Sequence, residues 1–284
     1  MNGIVIKTTG KYYSVKTDTN EIVQCRLKGI FRIAGIKSTS PIVVGDKVQI
    51  EKESELWMII KLQERRNHLL RRSVNLSKET HIIAANIDQA ILMITLDSPV
   101  TTTGFIDRFL VAANAYDITI ILLFNKTDLL KEELKLKQES LKKVYERIGY
   151  QCFEFSVIND DLSSVKRLMH SKVNMISGHS GVGKSTFINK LQPNLNINTK
   201  EISETHKQGQ HTTTFSQLYD LDFGASIIDT PGIRGFGLIT LEENEIGNYF
   251  PEFFALKSAC KFHNCMHKDE PHCMVKIKLE KGEI

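Results

Sequence analysis

Gly178-His179-Ser180-Gly181-Val182-Gly183-Lys184-Ser185 is the stretch from which the rest of the chain can be read. It fits the pattern G-x-x-x-x-G-K-[ST], in which glycines let successive backbone N–H groups turn inward on phosphate oxygens. Lys184 is spaced to reach the outer phosphates, and the Ser185 hydroxyl to ligate Mg²⁺. The flanks agree. Lys172 to Ser177 reads as a short buried strand, and Thr186 to Leu191 opens a helix whose N-terminal dipole favours anions. This strand–loop–helix unit predicts an α/β domain built around a nucleoside phosphate, with residues 178–186 as its cradle.

Upstream of the loop the pattern continues. Ile87 to Thr95 and Ile118 to Phe124 are near-continuous apolar runs, as expected of parallel strands buried on both faces. Thr103 to Tyr116 has helical spacing, Lys131 to Ile148 is a charged amphipathic helix stopped by Gly149, Cys152 to Phe155 is a strand, and Asp160 to His170 is a helix. Alternation of this kind predicts a doubly wound sheet with its ligand at the carboxyl ends of the strands. Directly after one such end stands Asn125-Lys126-Thr127-Asp128, an N-K-x-D sequence. The Asp128 carboxylate can accept from guanine N1–H and N2–H₂ together, whereas adenine offers no such pair. Asn125 is placed to brace the loop, and the Lys126 stem to cover the base. After the next strand, backbone N–H groups at Ser156 and Val157 are candidates for guanine O6.

Downstream, Gln208-Gly-Gln-His-Thr-Thr-Thr214 precedes a strand over Phe215 to Leu221, and a strand over Ala225 to Ile228 runs into Asp229-Thr230-Pro231-Gly232. Asp229 is expected to hold Mg²⁺ through a water, the Gly232 N–H to sense the γ-phosphate, and either Thr212 or Thr213 to complete the oxygen shell around the ion. The order is anomalous, because the base-reading loop precedes the phosphate loop. The pieces of one site are present but cyclically rearranged, which a fold tolerates when its original termini lie close together at the surface. Beyond them, Cys260-x₄-Cys265-x-His267-x₅-Cys273 supplies three thiolates and an imidazole, a set suited to a closed structural Zn²⁺ site. His263 and His272 are substitute ligands, and the remaining Cys25 and Cys152 lie in strand patterns and read as core.

The N-terminal segment is of another kind. Short β-rich runs over 3–8, 12–16, 22–27, 47–51 and 56–60, separated by turn residues, predict a small five-stranded barrel of the OB type. Residues 65–72, Arg-Arg-Asn-His-Leu-Leu-Arg-Arg, read as a basic linker. Residues 1–72 hold 14 Lys and Arg against 7 Asp and Glu, a surplus of 7 in a chain whose net charge is +4. That asymmetry fits an anionic partner such as nucleic acid, or a solvated basic face. Tyr12, Tyr13 and Phe31 are either base-stacking side chains or core aromatics. With 41% hydrophobic and 25% charged residues, no apolar run of membrane-spanning length and no signal-peptide layout, the 284-residue chain reads as a cytoplasmic soluble protein.

Taken together, N-K-x-D ahead of the phosphate loop, G-x-H-T-T-T, D-T-P-G-I-R and C-x₄-C-x-H-x₅-C resemble the circularly permuted, small-ribosomal-subunit-dependent GTPases of bacteria (the ribosome small-subunit-dependent GTPase A family). The resemblance spans essentially the whole chain. It implies an OB-fold barrel binding RNA over 1–66, a circularly permuted GTPase domain over 67–240, and a zinc-binding domain over 241–284 that is short after Cys273. It further implies GTP hydrolysis stimulated by the small (30S) subunit late in its assembly, contact with 16S rRNA, bound GTP or GDP with Mg²⁺, and one structural Zn²⁺; nothing in the sequence demands a dimer, so a monomer is expected, with no membrane partner. Ile233 stands where Ras-type enzymes carry a water-orienting Gln, so unaided turnover is expected to be slow. His211 occupies a position suspected of catalysis in similar proteins. The competing readings are an RNA-binding protein whose nucleotide site is regulatory, and an ATPase or kinase with a fortuitous N-K-x-D.

Overall fold

The computed structural model describes residues 1–29, 41–72, 80–195, 216–229 and 241–284. Five strands form the N-terminal barrel: β1 (Asn2–Thr8), β2 (Tyr13–Thr17), β3 (Ile22–Leu27), β4 (Lys47–Glu53) and β5 (Leu56–Leu62). Their order is β1-β2-β3-β5-β4, and β4 returns to pair with β1, so the sheet closes. Register shifts between Val5 and Lys7 in β1 and between Gln49 and Ile50 in β4 supply the local bending that closure needs. Alternating residues point inward as the sequence pattern requires: Val5, Tyr13, Val15, Cys25, Val48, Ile50 and Ile59 form the core. Tyr13 is thus a core aromatic. Tyr12 stands outside, with the Arg26 guanidinium 4.8 Å from its ring centroid, and Phe31 lies outside the described residues.

The expected linker turns out to be structured. His68–Arg72 is strand β6, paired antiparallel with β7 (Thr80–Ala85) in a separate two-stranded ribbon. Just before it, Arg65 donates from Nε and Nη2 to the two carboxylate oxygens of Asp46, each at 2.7 Å, and Asp46 is fully buried. Basic residues suggested a solvated connector; here one of them neutralises a carboxylate inside the joint.

The central sheet contains β8 (Gln89–Ile94), β9 (Thr119–Phe124), β10 (Gln151–Glu154), β11 (Val173–Ser177), β12 (Gln217–Leu221) and β13 (Ala225–Asp229), in the order β10-β9-β8-β11-β13-β12. All neighbours are parallel except the antiparallel hairpin β12–β13. Every residue of β8 is buried, which explains its unbroken apolar run. Helices α1 (Thr103–Ala115), α2 (Glu132–Ile148), α3 (Ser163–Met169) and α4 (Lys184–Leu191) cover the sheet. Phe105, Ile106 and Phe109 of α1 and Tyr145 of α2 belong to one core; Val165 and Met169 of α3 and Phe187, Ile188 and Leu191 of α4 belong to the other. Gly149 caps α2 at φ 114°, a left-handed conformation natural to glycine. Helix α3 starts at Ser163 and not at Asp160, because Asp160 is engaged in a turn with Ser156.

Two further contacts set the architecture. Strand β1 pairs antiparallel with β12 at Lys7 and Gln217, and the Lys16 ammonium lies 2.8 Å from an Asp220 carboxylate oxygen, so barrel and central sheet form one eleven-stranded sheet. At the other end, the 3₁₀ turn Ile246–Tyr249, which leads into α5 (Pro251–Lys257) with α6 (Met274–Glu280) packed on it, rests on α1, where Asn114 Nδ2 donates to the Tyr249 carbonyl at 2.9 Å and to Tyr150 Oη at 2.8 Å. Cys25 and Cys152 are buried, and burial pushes their thiols up to about 11 and about 12. Among the described residues no helix is long and apolar enough to cross a membrane.

Candidate functional site

The phosphate loop joins the carboxyl end of β11 to α4, with β8 on one side and the end of β13 on the other. Three of its glycines, Gly178, Gly181 and Gly183, have positive φ. At Gly183, φ +104°, a Cβ would lie 2.5 Å from Asn125 Nδ2, so a larger residue is excluded on both counts. Lys184 Nζ donates to the carbonyls of Gly178 at 2.7 Å and His179 at 2.6 Å, which holds its ammonium inside the loop. Burial pulls the Lys184 pKa down to about 8, with Asp229 opposing the shift; burial pushes the Asp229 carboxyl up, with Lys184 opposing. The two groups thus share one poorly solvated spot at which a Mg²⁺–phosphate pair would restore charge to both. The His179 ring packs against Phe105 at 4.1 Å, and burial with the nearby Lys184 charge holds its pKa down.

Asn125, 2% exposed, ties the rearranged pieces together. Its Nδ2 donates to the Val182 carbonyl at 2.7 Å, and its Oδ1 accepts from Val157 N–H at 3.0 Å. One side chain therefore links all three segments that sequence order had scattered: 125–128, 156–157 and 178–185. Lys126, left-handed at φ 64°, sends Nζ to the Ser98 carbonyl at 2.6 Å, so the segment after β8 supports it. Thr127 to Leu129 form a single 3₁₀ turn that leaves Asp128 exposed. Among the described residues its side chain makes no hydrogen bond or ion pair. Both amides proposed for guanine O6 already have partners: Ser156 N–H donates to Asp160 Oδ2 at 2.6 Å and Val157 N–H to Asn125. Reading O6 there would require sharing one of those hydrogens.

Ser185 and Thr186 lie in the first turn of α4, while Ser180 and Gly181 are exposed at the lip of the loop, where Gly181 faces the Pro99 ring. His211, Thr212, Thr213 and Gly232 fall outside the described residues, although β12 and β13 lead from and to their segments. Sequence reasoning missed Ser98, Asp160 and Lys190 as supports of the site. Nothing in their local sequence marks them, because Ser98 and Lys190 act across a fold contact and Asp160 acts on a backbone amide of its own turn, which any residue type can supply.

The second constellation is the Cys₃His set. The ligand atoms of Cys260, Cys265, His267 and Cys273 all lie within 4.8 Å of one another. His267 Nδ1 is 3.7 Å from Cys260 Sγ and 3.4 Å from Cys273 Sγ. A tetrahedral Zn²⁺ with usual bond lengths sets sulfur and nitrogen about 3.6 Å apart, so the donor set fits that ion. His263 and His272 are not in the cluster. Burial of Cys265 pushes its thiol up to about 11, and Glu270 organises the turn by accepting from the N–H groups of Met266 and Lys268.

Residues 62–239 match the RsgA GTPase family, and residues 2–57 match the RsgA N-terminal domain. The chain is 54% identical, across its whole length and 89% of the relative's, to the small ribosomal subunit biogenesis GTPase RsgA of Flavobacterium johnsoniae. It is 47% identical to that of Bacteroides fragilis, covering all of this chain and 92% of the other. Among solved structures it is similar to YjeQ from Thermotoga maritima, with TM-score 0.80 and 32% identity over all of this chain and 92% of that one. It is also similar to YloQ, described as a circularly permuted GTPase, with TM-score 0.76, 30% identity and coverage of 100% and 89%.

Proposed function

The chain belongs to the RsgA GTPase family, and from that premise we propose that it is a GTP hydrolase of small ribosomal subunit biogenesis whose turnover is switched on by the subunit. The observation that carries the reading is Asn125, whose two hydrogen bonds join the phosphate loop, the N-K-x-D loop and the 156–157 turn despite their permuted order.

In this reading residues 178–186 cradle the phosphates, with Lys184 on the outer phosphates and Ser185 on Mg²⁺. Asp229 would help hold the ion, and Thr212 or Thr213 would add an oxygen ligand, with Thr213 preferred. Mg²⁺ supplies neutralisation of the charge developing on the phosphates. Asp128 reads guanine N1–H and N2–H₂, Lys126 covers the base, Thr127 seats the loop, and the turn at Ser156 and Val157 faces O6. Gly232 senses the γ-phosphate, and His211 orients the attacking water when the subunit is docked. The barrel over 1–66 contacts 16S rRNA, 67–240 is the permuted GTPase domain, and Cys260, Cys265, His267 and Cys273 over 241–284 hold one structural Zn²⁺. The protein works as a cytoplasmic monomer without a membrane partner.

The test is GTP hydrolysis measured with and without purified small subunits. Strong stimulation is expected, and its absence would sink the ribosomal reading. ATP should fail to compete with labelled GTP. A subunit-stimulated rate unchanged by His211→Ala would dispose of the histidine.

A further inference from the structure

Helix α4 engages the site at both of its ends. Its first residues, Lys184 and Ser185, belong to the phosphate loop. Six residues on, about 9 Å along the axis at 1.5 Å per residue, Lys190 Nζ donates to the Ile158 carbonyl at 3.0 Å and to the Asp160 carbonyl at 2.7 Å. Both carbonyls belong to the turn that follows β10. That turn is closed on itself: Asp160 N–H donates to the Ser156 carbonyl at 2.9 Å, Ser156 N–H to Asp160 Oδ2 at 2.6 Å, and Asn159 N–H to Ser156 Oγ at 3.3 Å. Val157 anchors one side of the turn in the core, but Ile158, at its tip, is 75% exposed, so apolar burial does not hold the turn beyond Val157. Polar ties do. One runs from Val157 to Asn125, and the other is the Lys190 ammonium.

We propose that Lys190 is a positioning residue for base recognition: by clamping the 156–160 turn to the far end of the phosphate-loop helix, it fixes the spacing between the phosphate cradle and the wall that faces guanine O6. The proposal rests on the reading in which residues 125–128 and 156–157 hold guanine. An exposed lysine making one isolated ion pair would contribute little. Lys190 instead gives two charge-assisted hydrogen bonds to carbonyls two residues apart, which fixes orientation as well as distance. Lys184 and Lys190 share one short rigid element, so a displacement of the phosphate loop is carried to the base wall.

The experiment uses the full chain and equilibrium binding of GDP, IDP and ADP to wild type, Lys190→Met, Lys190→Arg and Asp128→Asn. GDP and IDP both carry O6, whereas ADP does not. Lys190→Met is expected to weaken GDP and IDP together by about fivefold to twentyfold, at the low end for charge-assisted bonds because the Lys190 contacts are solvent-exposed. ADP should change less than about twofold, and Lys190→Arg should recover most of the loss. Asp128→Asn should instead alter the GDP-to-IDP ratio, because only guanine carries the N2 amine. In subunit-stimulated turnover, Lys190→Met should raise KM for GTP and leave kcat unchanged. Equal weakening of ADP and GDP, or GDP binding within twofold of wild type, would overturn the proposal. A wild type that does not prefer GDP to ADP would overturn the guanine reading beneath it, and Asp128→Asn identifies that failure separately.

Discussion

Truncating Asn125 to Ala removes a side chain that is 2% exposed and makes two hydrogen bonds, to the Val182 carbonyl at 2.7 Å and from the Val157 amide at 3.0 Å. Each partner is then left in a site that water reaches poorly. A buried polar group without a partner costs about 1–3 kcal/mol, and partial rehydration places the pair in the lower part of the summed range, about 2–4 kcal/mol. Had the whole effect fallen on nucleotide affinity, it would weaken GDP by about thirtyfold to several hundredfold. Some of it will appear as lost stability, with about 2–4 °C in melting temperature per kcal/mol for a domain of this size. Calorimetric GDP titration and a thermal melt on the same sample separate the shares, and the two should together account for at least about 2 kcal/mol. Asn125→Asp keeps the acceptor for Val157 but sets a carboxylate oxygen against the Val182 carbonyl, so it should be at least as damaging. Gly183→Ala drives a methyl to within 2.5 Å of Asn125 Nδ2 and should reproduce the defect from the opposite side. An Asn125→Ala protein with GDP affinity within threefold of wild type and an unchanged melt would refute the brace.

Arg65→Met should destabilise the protein by about 3–5 kcal/mol, because it strands the fully buried Asp46 carboxylate without its guanidinium; guanidinium chloride unfolding reads the change. Metal analysis should find one Zn²⁺ per chain, lost with Cys260→Ser, and chelation should open α5 and α6 to limited proteolysis ahead of the rest of the chain. Protons report on Lys184, whose pKa is pulled from 10.5 to about 8. Between those values the unfolded chain holds a proton that the folded chain lacks, so stability without nucleotide rises with pH across that window. Nucleotide phosphates restore the charge, so GDP binding near pH 8.5 should take up protons. Titration in two buffers of different ionisation enthalpy measures this, and zero uptake would contradict the assignment.

The phosphate loop and N-K-x-D were legible because backbone conformation and donor geometry there constrain residue type at fixed spacing. The strands were legible for a simpler reason. One buried face gives alternation, as in Val5, Val15 and Val48, while two buried faces give the unbroken run of β8. Strand β6 was not legible. Its Arg-rich sequence reads as solvated, and its partner β7 pairs with it in a ribbon outside the main sheet, so neither strand carries the periodic signature of a core. The supports of the site were hidden for a related reason. Asp160 and Lys190 act through backbone carbonyls and amides, which place no demand on the residue types they meet, and Lys126 finds Ser98 only after two strands have been brought side by side. Tyr12 and Tyr13 show the limit within one dipeptide, since only the pleat decides which ring faces the core.

The contact between Lys7 and Gln217 also has a history in time. The barrel strands lie within the first 62 residues and can pair as soon as they leave the ribosome that makes them. The far end of β1, at Lys7, must then wait for a strand that emerges about 8–30 s later at ordinary rates of elongation. Over that interval β1 stays open on that side around Lys7, while Val5 is already tied to Gly45 and Asp46 within the barrel; a short open edge of this kind is where chains stick to one another. When β12 arrives it covers that edge, and its hairpin partner β13, which follows it in the chain, joins it to β11 in the central sheet. The Lys7–Gln217 pair thus stitches the first-made part of the molecule to the edge strand of the nucleotide-binding sheet.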